Sequence, residues 1–307
     1  MARVLFARGV RGELVRKMQQ RLTDLGFSTL GVDGDYGGNT RAAVIAFQNA
    51  RGIEPTGEVD VTTYESLMET PIPGIRERAL QLTAAFEGHD FTLAKGNFDD
   101  AGITWGIIGF TLTSGELRRI IGQINSEHPA LLRAAFGENT NRLLEVFERP
   151  MNQQIAFANS ISLGASRERL AEPWRTSFRK LGGFEEVQAL QLEIADRDFY
   201  QPSRRTAERF GLTTEQGVAL AFDIHVQNGS VKPEAREQIR RELEENPPSN
   251  EQERRVIIGN AVADHSKPRW RADVRSRKLT IANGTGTVHA GNYVLRAWGL
   301  GEFPAGE

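Results

Sequence analysis

Within residues 87–104, three carboxylic acids, Glu87, Asp99 and Asp100, and one threonine, Thr104, stand at spacings that suit acid–base chemistry. Glu87 follows the apolar run "ALQLTAAF", Asp99 and Asp100 lie in the polar segment "KGNFDDAG", and Thr104 precedes "WGIIGF". Cleavage of a glycosidic bond with inversion requires one protonated and one ionised carboxyl group, with room for a water molecule between them. These four residues are therefore the first candidates for a catalytic site.

A helix that ends at Glu87 would give this carboxyl group the properties of a general acid. The helix is indicated by apolar residues at helical spacing and by a glycine stop, namely Ile75, Ala79, Leu82, Phe86 and Gly88. A carboxylate in the last turn meets the negative end of the helix dipole, and apolar neighbours disfavour its charge further. We therefore predict a raised pKa for Glu87 and a role as general acid.

The loop and the strand that follow would supply the second carboxyl group. Glycines and polar side chains around Asp99 and Asp100 predict solvent access, so one of these two residues should remain ionised. The next segment, "ITWGIIGF", is rich in β-branched and aromatic residues, which predicts a short strand. Such a strand could hold the loop against the helix end. Spacing alone leaves open which aspartate is the base.

Composition excludes several other kinds of chemistry. The chain of 307 residues has no cysteine, which rules out disulfides, thiolate metal sites and a cysteine nucleophile. Its five histidines are scattered and form no close ligand pair, so we expect neither a metal nor a cofactor. A formal net charge of -2 gives no reason to expect a nucleic acid as partner. Carboxylate chemistry remains.

The first 70 residues contain an internal repetition. "DGDYGGNTRAAV" begins at Asp33 and "TGEVDVTTYESL" begins at Thr56, and each copy combines a glycine turn with a threonine. We predict Thr40 as the cap of the helix that follows the first copy. Another helix is predicted in "ELVRKMQQRLTDLGF", with Gly26 as its left-handed stop. Three short helices joined by glycine turns would make a small bundle.

This bundle resembles the three-helix peptidoglycan-binding module over residues 5–68. The family's glycine, apolar and polar positions are met by Gly12, Val15, Met18, Gln19, Leu22, Leu25, Gly26, Asp33, Gly34, Tyr36, Gly37, Thr40, Ala43, Val44, Phe47 and Gln48. The resemblance implies peptidoglycan as a partner, with Asp33, Tyr36 and Gln48 as candidate wall-contacting residues. "METPIPG" then predicts a stiff linker at residues 71–74. We therefore predict a binding domain over residues 1–70 and a second domain over residues 75–307.

The second domain resembles the lysozyme superfamily, and in particular the chitosanases of glycoside hydrolase family 46. Their pattern of an aspartate, four residues and Thr-x-Gly-Ile-Ile-Gly-Phe is met by Asp99, Thr104, Gly106, Ile107, Ile108, Gly109 and Phe110. The resemblance implies Glu87 as general acid, Asp99 as general base and Thr104 as the residue that positions water, with Asp100 as a rival base. It also implies a mainly α fold of the α+β lysozyme type: two helical lobes with a small β-region at the active-site cleft.

The same family implies a network that supports the general acid. "ALAFDIHVQNG", residues 219–229, and "RADVRSR", residues 271–277, resemble two family segments that supply an aspartate and arginines. The resemblance places these roles on Asp223 and Arg271. A buried aspartate paired with an arginine is about as often purely structural, so both interpretations stay open.

The pairing of the two domains predicts the substrate. A module that raises the local concentration at peptidoglycan is useful to an enzyme that cuts peptidoglycan. We therefore predict a muramidase that cleaves between N-acetylmuramic acid and N-acetylglucosamine with inversion. The alternatives are a chitosanase, a lytic transglycosylase and a non-catalytic wall-binding or phage tail protein. Basic and acidic residues nearly balance over residues 71–307, which offers a cationic chitosan chain no acidic surplus.

The N-terminal sequence predicts where the protein is made. "MARVLFARGVRGELVRKMQQ" has no apolar core of the length found in signal peptides, and no apolar run reaches the roughly 18 residues of a membrane span. We expect synthesis in the host cytoplasm as a monomer without membrane insertion, and action on the cell wall after the membrane is permeabilised. A modular phage endolysin fits this expectation, and a secretion-system toxin is the other route.

Overall fold

The structure is a computed structural model that describes residues 3–88 and 90–306. The fold is mainly α, as predicted, and the described residues add four small antiparallel sheets. The chain forms two compact units, one made of residues 1–86 and 198–307 and the other of residues 87–197. No helix in the described ranges is both long enough and apolar enough to cross a membrane.

The first 70 residues form the predicted three-helix bundle. Amphipathic periodicity puts Leu14, Met18 and Leu22 on the buried face of the first helix, and Gly26 follows with a left-handed φ of 87°. The elements are β1 (Val4–Phe6), α1 (Glu13–Asp24), α2 (Gly38–Arg51), β2 (Val59–Asp60) and α3 (Val61–Met68), and β1 pairs with β2.

The internal repetition appears in the structure as two equivalent hydrogen-bond clusters. In each copy a buried glutamine accepts from the amide of a turn glycine and donates to the next carbonyl oxygen and to a threonine hydroxyl. These groups belong to Gln19, Gly34, Asp35 and Thr40 in the first copy and to Gln48, Gly57, Glu58 and Thr63 in the second. Thr40 is therefore not the predicted helix cap, because α2 already starts at Gly38 and the Thr40 hydroxyl donates to Asp35 O.

The helix α4 (Ile75–Glu87) has the predicted bounds. It is followed by Gly88, whose left-handed φ of 64° ends the helix. Residues on most sides of α4 are buried, including Ala79, Leu82 and Phe86, so α4 is a central helix and not a surface one.

The described residues of the second unit form a three-stranded sheet, a separate two-stranded sheet and six helices. Trp105 lies fully buried in the core of this unit, and the Trp105 indole N–H donates to Phe178 O at 2.8 Å. The three-stranded sheet has the order β3 (Ala94–Lys95), β4 (Thr104–Trp105) and β5 (Phe110–Thr111). The remaining elements are α5 (Glu116–Glu127), α6 (Pro129–Phe136), α7 (Asn139–Glu148), α8 (Met151–Ser160), β6 (Ser162–Leu163), β7 (Arg169–Leu170), α9 (Trp174–Gly182) and α10 (Glu185–Ala195).

The chain then completes the first unit with five helices and a hairpin. A π-helical turn (Asp196–Tyr200) leads into α11 (Gln201–Arg209), α12 (Glu215–Asn228), α13 (Pro233–Glu245), α14 (Glu251–Asp264), a 3-10 turn (Pro268–Trp270), α15 (Arg271–Asn283), β8 (Thr285–Val288), β9 (Gly291–Val294) and a second 3-10 turn (Leu295–Trp298). The start of α14 is capped by Asn250, which accepts from Glu253 N at 2.9 Å.

A buried ion-pair cluster joins the N-terminal bundle to the rest of the first unit. Arg78 on α4 donates to Pro73 O at 3.1 Å, to the Glu215 carboxylate at 2.8 Å and to Gly299 O. Arg3, which precedes β1, pairs with the same carboxylate. Burial, and then the nearby charge of Arg3, lowers the pKa of Arg78 to about 10. The predicted linker, residues 71–74, therefore contains a bonded and buried Pro73.

Candidate active site

The end of α4 is held by side chains of the β8–β9 hairpin. The last carbonyl groups of a helix have no partner within the helix. Here the Tyr293 hydroxyl donates to Ala85 O at 3.3 Å, and His289 Nδ1 lies 2.9 Å from Phe86 O. The rings of Phe86 and Tyr293 also pack edge to face, with 4.7 Å between their centroids. Glu87 is thus the last residue of a helix whose end is fixed.

The hairpin that supplies His289 has a strained turn. Val288 pairs with Gly291, so His289 and Ala290 form a two-residue turn with φ values of 48° and 65°. The left-handed conformation costs a residue with a side chain about 1 kcal/mol or more. Asn-Gly is the usual sequence of such turns, whereas His-Ala gives no turn signal, so this turn was not predictable from the sequence. Strain retained at a helix end that carries a candidate acid is typical of functional positions.

A buried carboxylate between two cations lies behind α4. Asp223 on α12 is 0% exposed and accepts from Arg277 Nε at 2.8 Å and from Lys278 Nζ at 2.5 Å, while Thr83 of α4 donates its hydroxyl at 3.1 Å. Burial acts to raise the pKa of Asp223, but the two cations and their hydrogen bonds outweigh it and the pKa lies below its ordinary value. The Arg277 guanidinium also lies 5.2 Å from the centroid of the Phe86 ring, so the network reaches the last turn of α4.

The basic partners of Asp223 differ from those predicted. Arg271 is exposed at the start of α15. Six residues turn a helix through about 600°, so Arg271 and Arg277 point in directions about 120° apart. Only the later turn of α15 faces Asp223, and Arg277 and Lys278 make the contacts. This corrects the prediction for Arg271.

The two aspartates of the loop have different surroundings. Asp99 is half-buried, and its Oδ1 accepts from Ala101 N at 3.1 Å. Asp100 is exposed, has a left-handed φ of 68° and pairs with Arg167 at 3.4 Å. The Asp100 carboxylate therefore faces outward, toward Arg167, and does not point into the loop. The geometry therefore favours Asp99 over Asp100 as the candidate base.

Thr104 has a buried hydroxyl group without a hydrogen-bond partner among the described residues. The residue is 5% exposed on β4, the central strand, where it pairs with Lys95 on one side and Thr111 on the other. Buried hydroxyl groups are normally hydrogen-bonded, and leaving one unsatisfied costs about 1–3 kcal/mol. The Thr104 hydroxyl therefore has a hydrogen-bonding capacity that no described residue uses.

The segment "GIIG" is a turn and not part of a continuous strand. The sequence predicted one strand over "ITWGIIGF", whereas residues 106–109 join β4 to β5. Gly106 and Gly109 have φ values of 87° and 70°, which isoleucine avoids. A side chain at position 106 would overlap Gln191 Oε1, which accepts from Ile107 N at 2.9 Å. Gln191 also donates to Phe91 O at 3.1 Å, so it joins the turn to the segment that follows α4.

Asn97 holds the loop that carries Asp99, and the sequence analysis did not single it out. Its side chain accepts from Gly102 N at 2.8 Å and donates to Asn159 on α8 at 2.6 Å. Its backbone N–H donates to the Ser162 hydroxyl at 2.9 Å. Asn97 therefore connects both ends of the loop and fixes them to the helical part of the unit. An asparagine in a glycine-rich loop looks like an ordinary turn residue, so the sequence carried no signal for this role.

The predicted wall-contacting residues divide into one exposed and two buried side chains. Tyr36 is fully buried and its hydroxyl donates to Gly57 O at 3.1 Å, and Gln48 is buried within its cluster. A buried side chain offers no surface to a polymer, so Tyr36 and Gln48 belong to the framework of the module, which corrects their predicted role. Asp33 is exposed and remains a candidate contact.

Within residues 3–88 and 90–306, no group of three or more histidine, aspartate or glutamate side chains is placed to hold a metal ion. His89, one of the five histidines, lies outside the described residues.

Sequence comparison identifies two families along the chain. Residues 11–67 match the putative peptidoglycan binding domain, and residues 83–256 match glycosyl hydrolase family 46. The second match spans more than half of the 307 residues. The sequence matched none of the curated proteins with which it was compared.

Solved chitosanase structures share the fold. The native chitosanase from Bacillus subtilis MY002 superposes with a TM-score of 0.51 at 17% identity, covering 72% of this chain and 97% of that one. A mutant of that chitosanase complexed with 6 GlcN gives the same TM-score and identity over 72% and 98%. At this identity the likeness speaks for the fold alone. The assignment rests on the sequence match, by which the chain belongs to glycosyl hydrolase family 46.

Proposed function

We propose that this glycoside hydrolase is a muramidase that cleaves the β-1,4 bond between N-acetylmuramic acid and N-acetylglucosamine in peptidoglycan. The observation that carries the proposal is a match to a peptidoglycan-binding family and a match to a glycosyl hydrolase family within one chain. The first supplies affinity for the polymer and the second supplies the chemistry. Peptidoglycan and chitosan share a β-1,4-linked aminosugar backbone, so related sites can serve either polymer.

In the proposed reaction the two carboxyl groups have different roles. Glu87 donates a proton to the leaving oxygen, and Asp99 takes a proton from a water molecule that the Thr104 hydroxyl positions. The water attacks the anomeric carbon directly, so the product has inverted configuration and no glycosyl-enzyme forms. The fixed end of α4, the half-buried Asp99 and the unpartnered Thr104 hydroxyl support these roles.

Chitosan is the second candidate substrate. The solved structures that share the fold are chitosanases, and one of them is complexed with 6 GlcN. In this alternative the same carboxyl groups would cut a cationic polymer. The N-terminal module would then bind the enzyme to peptidoglycan, which would not be its substrate.

A substrate comparison tests the proposal. Full-length protein is incubated separately with purified sacculi and with chitosan, and the products are measured as reducing ends and by mass. We expect reducing muropeptides from sacculi at the higher rate. Cleavage of chitosan alone would establish the chitosanase, and anhydro-muropeptides would establish a lytic transglycosylase. The Glu87→Gln variant is the control, because it should bind sacculi without cutting them. If the wild-type protein also binds sacculi without cutting them, it is a non-catalytic wall-binding or phage tail protein.

We further propose that the protein acts as an endolysin, reaching the wall after the membrane is permeabilised. Support comes from the match to a peptidoglycan-binding family and the match to a glycosyl hydrolase family within one chain. Expression in a bacterial host should leave cells intact until a pore-forming agent is added, and then lyse them. Lysis without permeabilisation would contradict this setting.

A further inference from the structure

The second unit contains a pocket of about 600 Å3 beside the edge strand β3. Its walls are β3 with the residues before it, the β6–β7 hairpin and the helix α9. Four basic side chains line this edge pocket, namely Lys95, Arg169, Arg175 and Arg179.

Three acidic groups lie in or beside the edge pocket, and each of them has a hydrogen-bond or ion-pair partner. Asp90 accepts from both the backbone N–H and the hydroxyl of Thr92 at 2.7 Å, and Glu168 pairs with Lys95 at 3.1 Å. The exposed Glu172 accepts from Thr176 N at 3.1 Å near the start of α9.

Four basic lining side chains against two acidic ones, Asp90 and Glu168, still give the edge pocket a positive surplus. Within the described ranges no carboxylate lies within 4.0 Å of the guanidinium groups of Arg169, Arg175 or Arg179. Arg169 and Arg179 are exposed and Arg175 is half-buried, so all three are accessible to a ligand.

The edge pocket adjoins the candidate active site. Lys95 pairs with Thr104 across the β3–β4 ladder, where opposite Cα atoms are about 4.5–5.5 Å apart and the side chains point to the same face. Two residues after Lys95 the chain enters the loop held by Asn97. Phe98, the residue before Asp99, is 41% exposed and its ring centroid lies 5.5 Å from Lys95 Nζ, so an apolar sugar face could stack between the pocket and the loop.

We propose that the edge pocket binds a free carboxylate on the peptide stem of a muramic acid residue. Guanidinium groups match carboxylates with two parallel hydrogen bonds, which favours an acidic ligand over a neutral one. A chitosan chain carries ammonium groups and no carboxylate, so the positive surplus of the pocket would repel it. The inference rests on the proposed function, because it assumes a β-1,4 aminosugar polymer that carries acidic peptides.

Kinetics of full-length variants test the pocket. The double variant Arg175→Gln/Arg179→Gln is compared with Arg236→Gln/Arg241→Gln, which removes the same charge from the exposed face of α13. The substrates are soluble glycan chains with acidic stems and the same chains with the stems amidated. Because partly exposed ion pairs are weak, we expect the pocket variant to raise KM about tenfold on the acidic chains, with kcat unchanged. KM on the amidated chains, and KM of the control variant on both, should equal that of the wild type.

A binding measurement tests the carboxylate specificity of the edge pocket independently of the proposed muramidase activity. In the Glu87→Gln background, the Kd of a soluble disaccharide-peptide is measured with free and with amidated carboxylates, for the wild-type and the glutamine-substituted pocket. We expect the protein with the wild-type pocket to bind the acid form more tightly than the amidated form, and the protein with the glutamine-substituted pocket to bind both forms equally. The N-terminal module is identical in both proteins, so it cannot cause this difference. An equal preference in both proteins, or none in the wild type, overturns the inference. A wild type that binds the acid through these arginines but cuts no peptidoglycan supports the pocket and overturns the muramidase.

Discussion

At the scale of single residues, the candidate site places two carboxyl groups in contrasting surroundings. Glu87 ends a helix, where the dipole disfavours a negative charge, whereas Asp99 accepts a backbone N–H in a loop. Both placements were predictable because a helix end and a glycine-rich loop are local features of sequence. Spacing alone did not distinguish Asp99 from Asp100, because Arg167 meets Asp100 only in the folded chain; the prediction of Asp99 came from the family resemblance.

Substitution of the carboxyl groups should separate their roles. Glu87→Gln should lower kcat by about 10²–10⁴-fold because an amide cannot donate the proton, and Asp99→Asn should fall in the same range. Asp100→Asn is the matched control one residue away, and it should retain most of the activity. Rates on one peptidoglycan preparation, with circular dichroism to verify folding, check this prediction. Loss of activity in Asp100→Asn with Asp99→Asn unaffected would exchange the two assignments.

Thr104 offers a test in which activity and stability move in opposite directions. Thr104→Val removes the hydroxyl and keeps the shape, so kcat should fall by about tenfold or more as the water loses its hydrogen bond. Stability should rise by about 1 kcal/mol, since an unsatisfied buried hydroxyl is replaced by a methyl group. Thr111→Val, its neighbour on β5, is the control and should keep its kcat. A destabilised Thr104→Val protein would show that the hydroxyl has a partner.

At the scale of elements, local patterns were predictable and long-range contacts were not. The bounds of α4 follow from its apolar spacing and Gly88. The prediction of one continuous strand over "ITWGIIGF" was wrong, because Gly106 and Gly109 have positive φ values and turn the chain. The two isoleucines between them favour a strand by composition, so the turn could not be predicted from residue types. The partners of Asp223 depend on the rotation of α15 against α12, which no local spacing encodes. Resemblance to a family likewise named the binding module but misplaced Tyr36 and Gln48.

The turn at Gly106 should be intolerant of any side chain. Gly106→Ala requires a left-handed φ for alanine and overlap with Gln191, so we expect a loss of about 1–3 kcal/mol in the free energy of unfolding. Gly122→Ala is the matched control, because it lies within α5 with open space around the added carbon and should gain about 0.5–1 kcal/mol. Chemical denaturation of both variants measures the difference, and equal stabilities would contradict the hairpin geometry.

The Asp223 network should make the first unit sensitive to acid. The pKa of Asp223 is lower in the folded protein than its ordinary value of about 3.9, so its contribution to stability is complete above that pH and is lost as the pH falls through the folded pKa. Asp223→Asn leaves two buried cations without their carboxylate and should cost about 3–5 kcal/mol at neutral pH. Its Tm should then depend less on pH below about 4 than that of the wild type. The exposed Asp24→Asn should keep the wild-type profile.

At the scale of the whole molecule, the N-terminal bundle and the C-terminal helices belong to one compact unit. Besides the cluster around Glu215, β1 packs against the 3-10 turn Leu295–Trp298. The Glu13 N–H also donates to Gln81 of α4 at 2.9 Å. These contacts predict that the bundle and the helices of this unit unfold together.

Loss of the Arg78 guanidinium should uncouple the unfolding of the N-terminal bundle from that of the C-terminal helices. Arg78→Gln weakens a buried pair with Glu215 and should cost roughly 3 kcal/mol, so the bundle should unfold in a separate transition at lower temperature. Arg240→Gln removes an exposed guanidinium from α13 and should cost no more than about 0.5 kcal/mol. Differential scanning calorimetry compares the two variants with the wild type. An unchanged transition in Arg78→Gln would show that the remaining contacts, those of β1, the Glu13–Gln81 bond and the Arg3–Glu215 pair, couple the bundle to the helices without Arg78.

The hydrogen bond between Glu13 and Gln81 should affect which glycosidic bonds of a glycan strand the enzyme cleaves. A flexible tether of n residues would let a catalytic group roam over about 5–6 Å × √n, and the cut sites would scatter around each anchoring point. Here Gln81 of α4 is bonded directly to the bundle, and Glu87 is the last residue of the same helix, so we expect a nearly constant offset between a sugar bound by the bundle and the bond nearest Glu87. Each anchored molecule should therefore exhaust the few bonds at that offset and detach before cutting again. Early digests of long glycan strands should then be enriched in one fragment length, and turnover should depend on the rate at which the bundle leaves the wall.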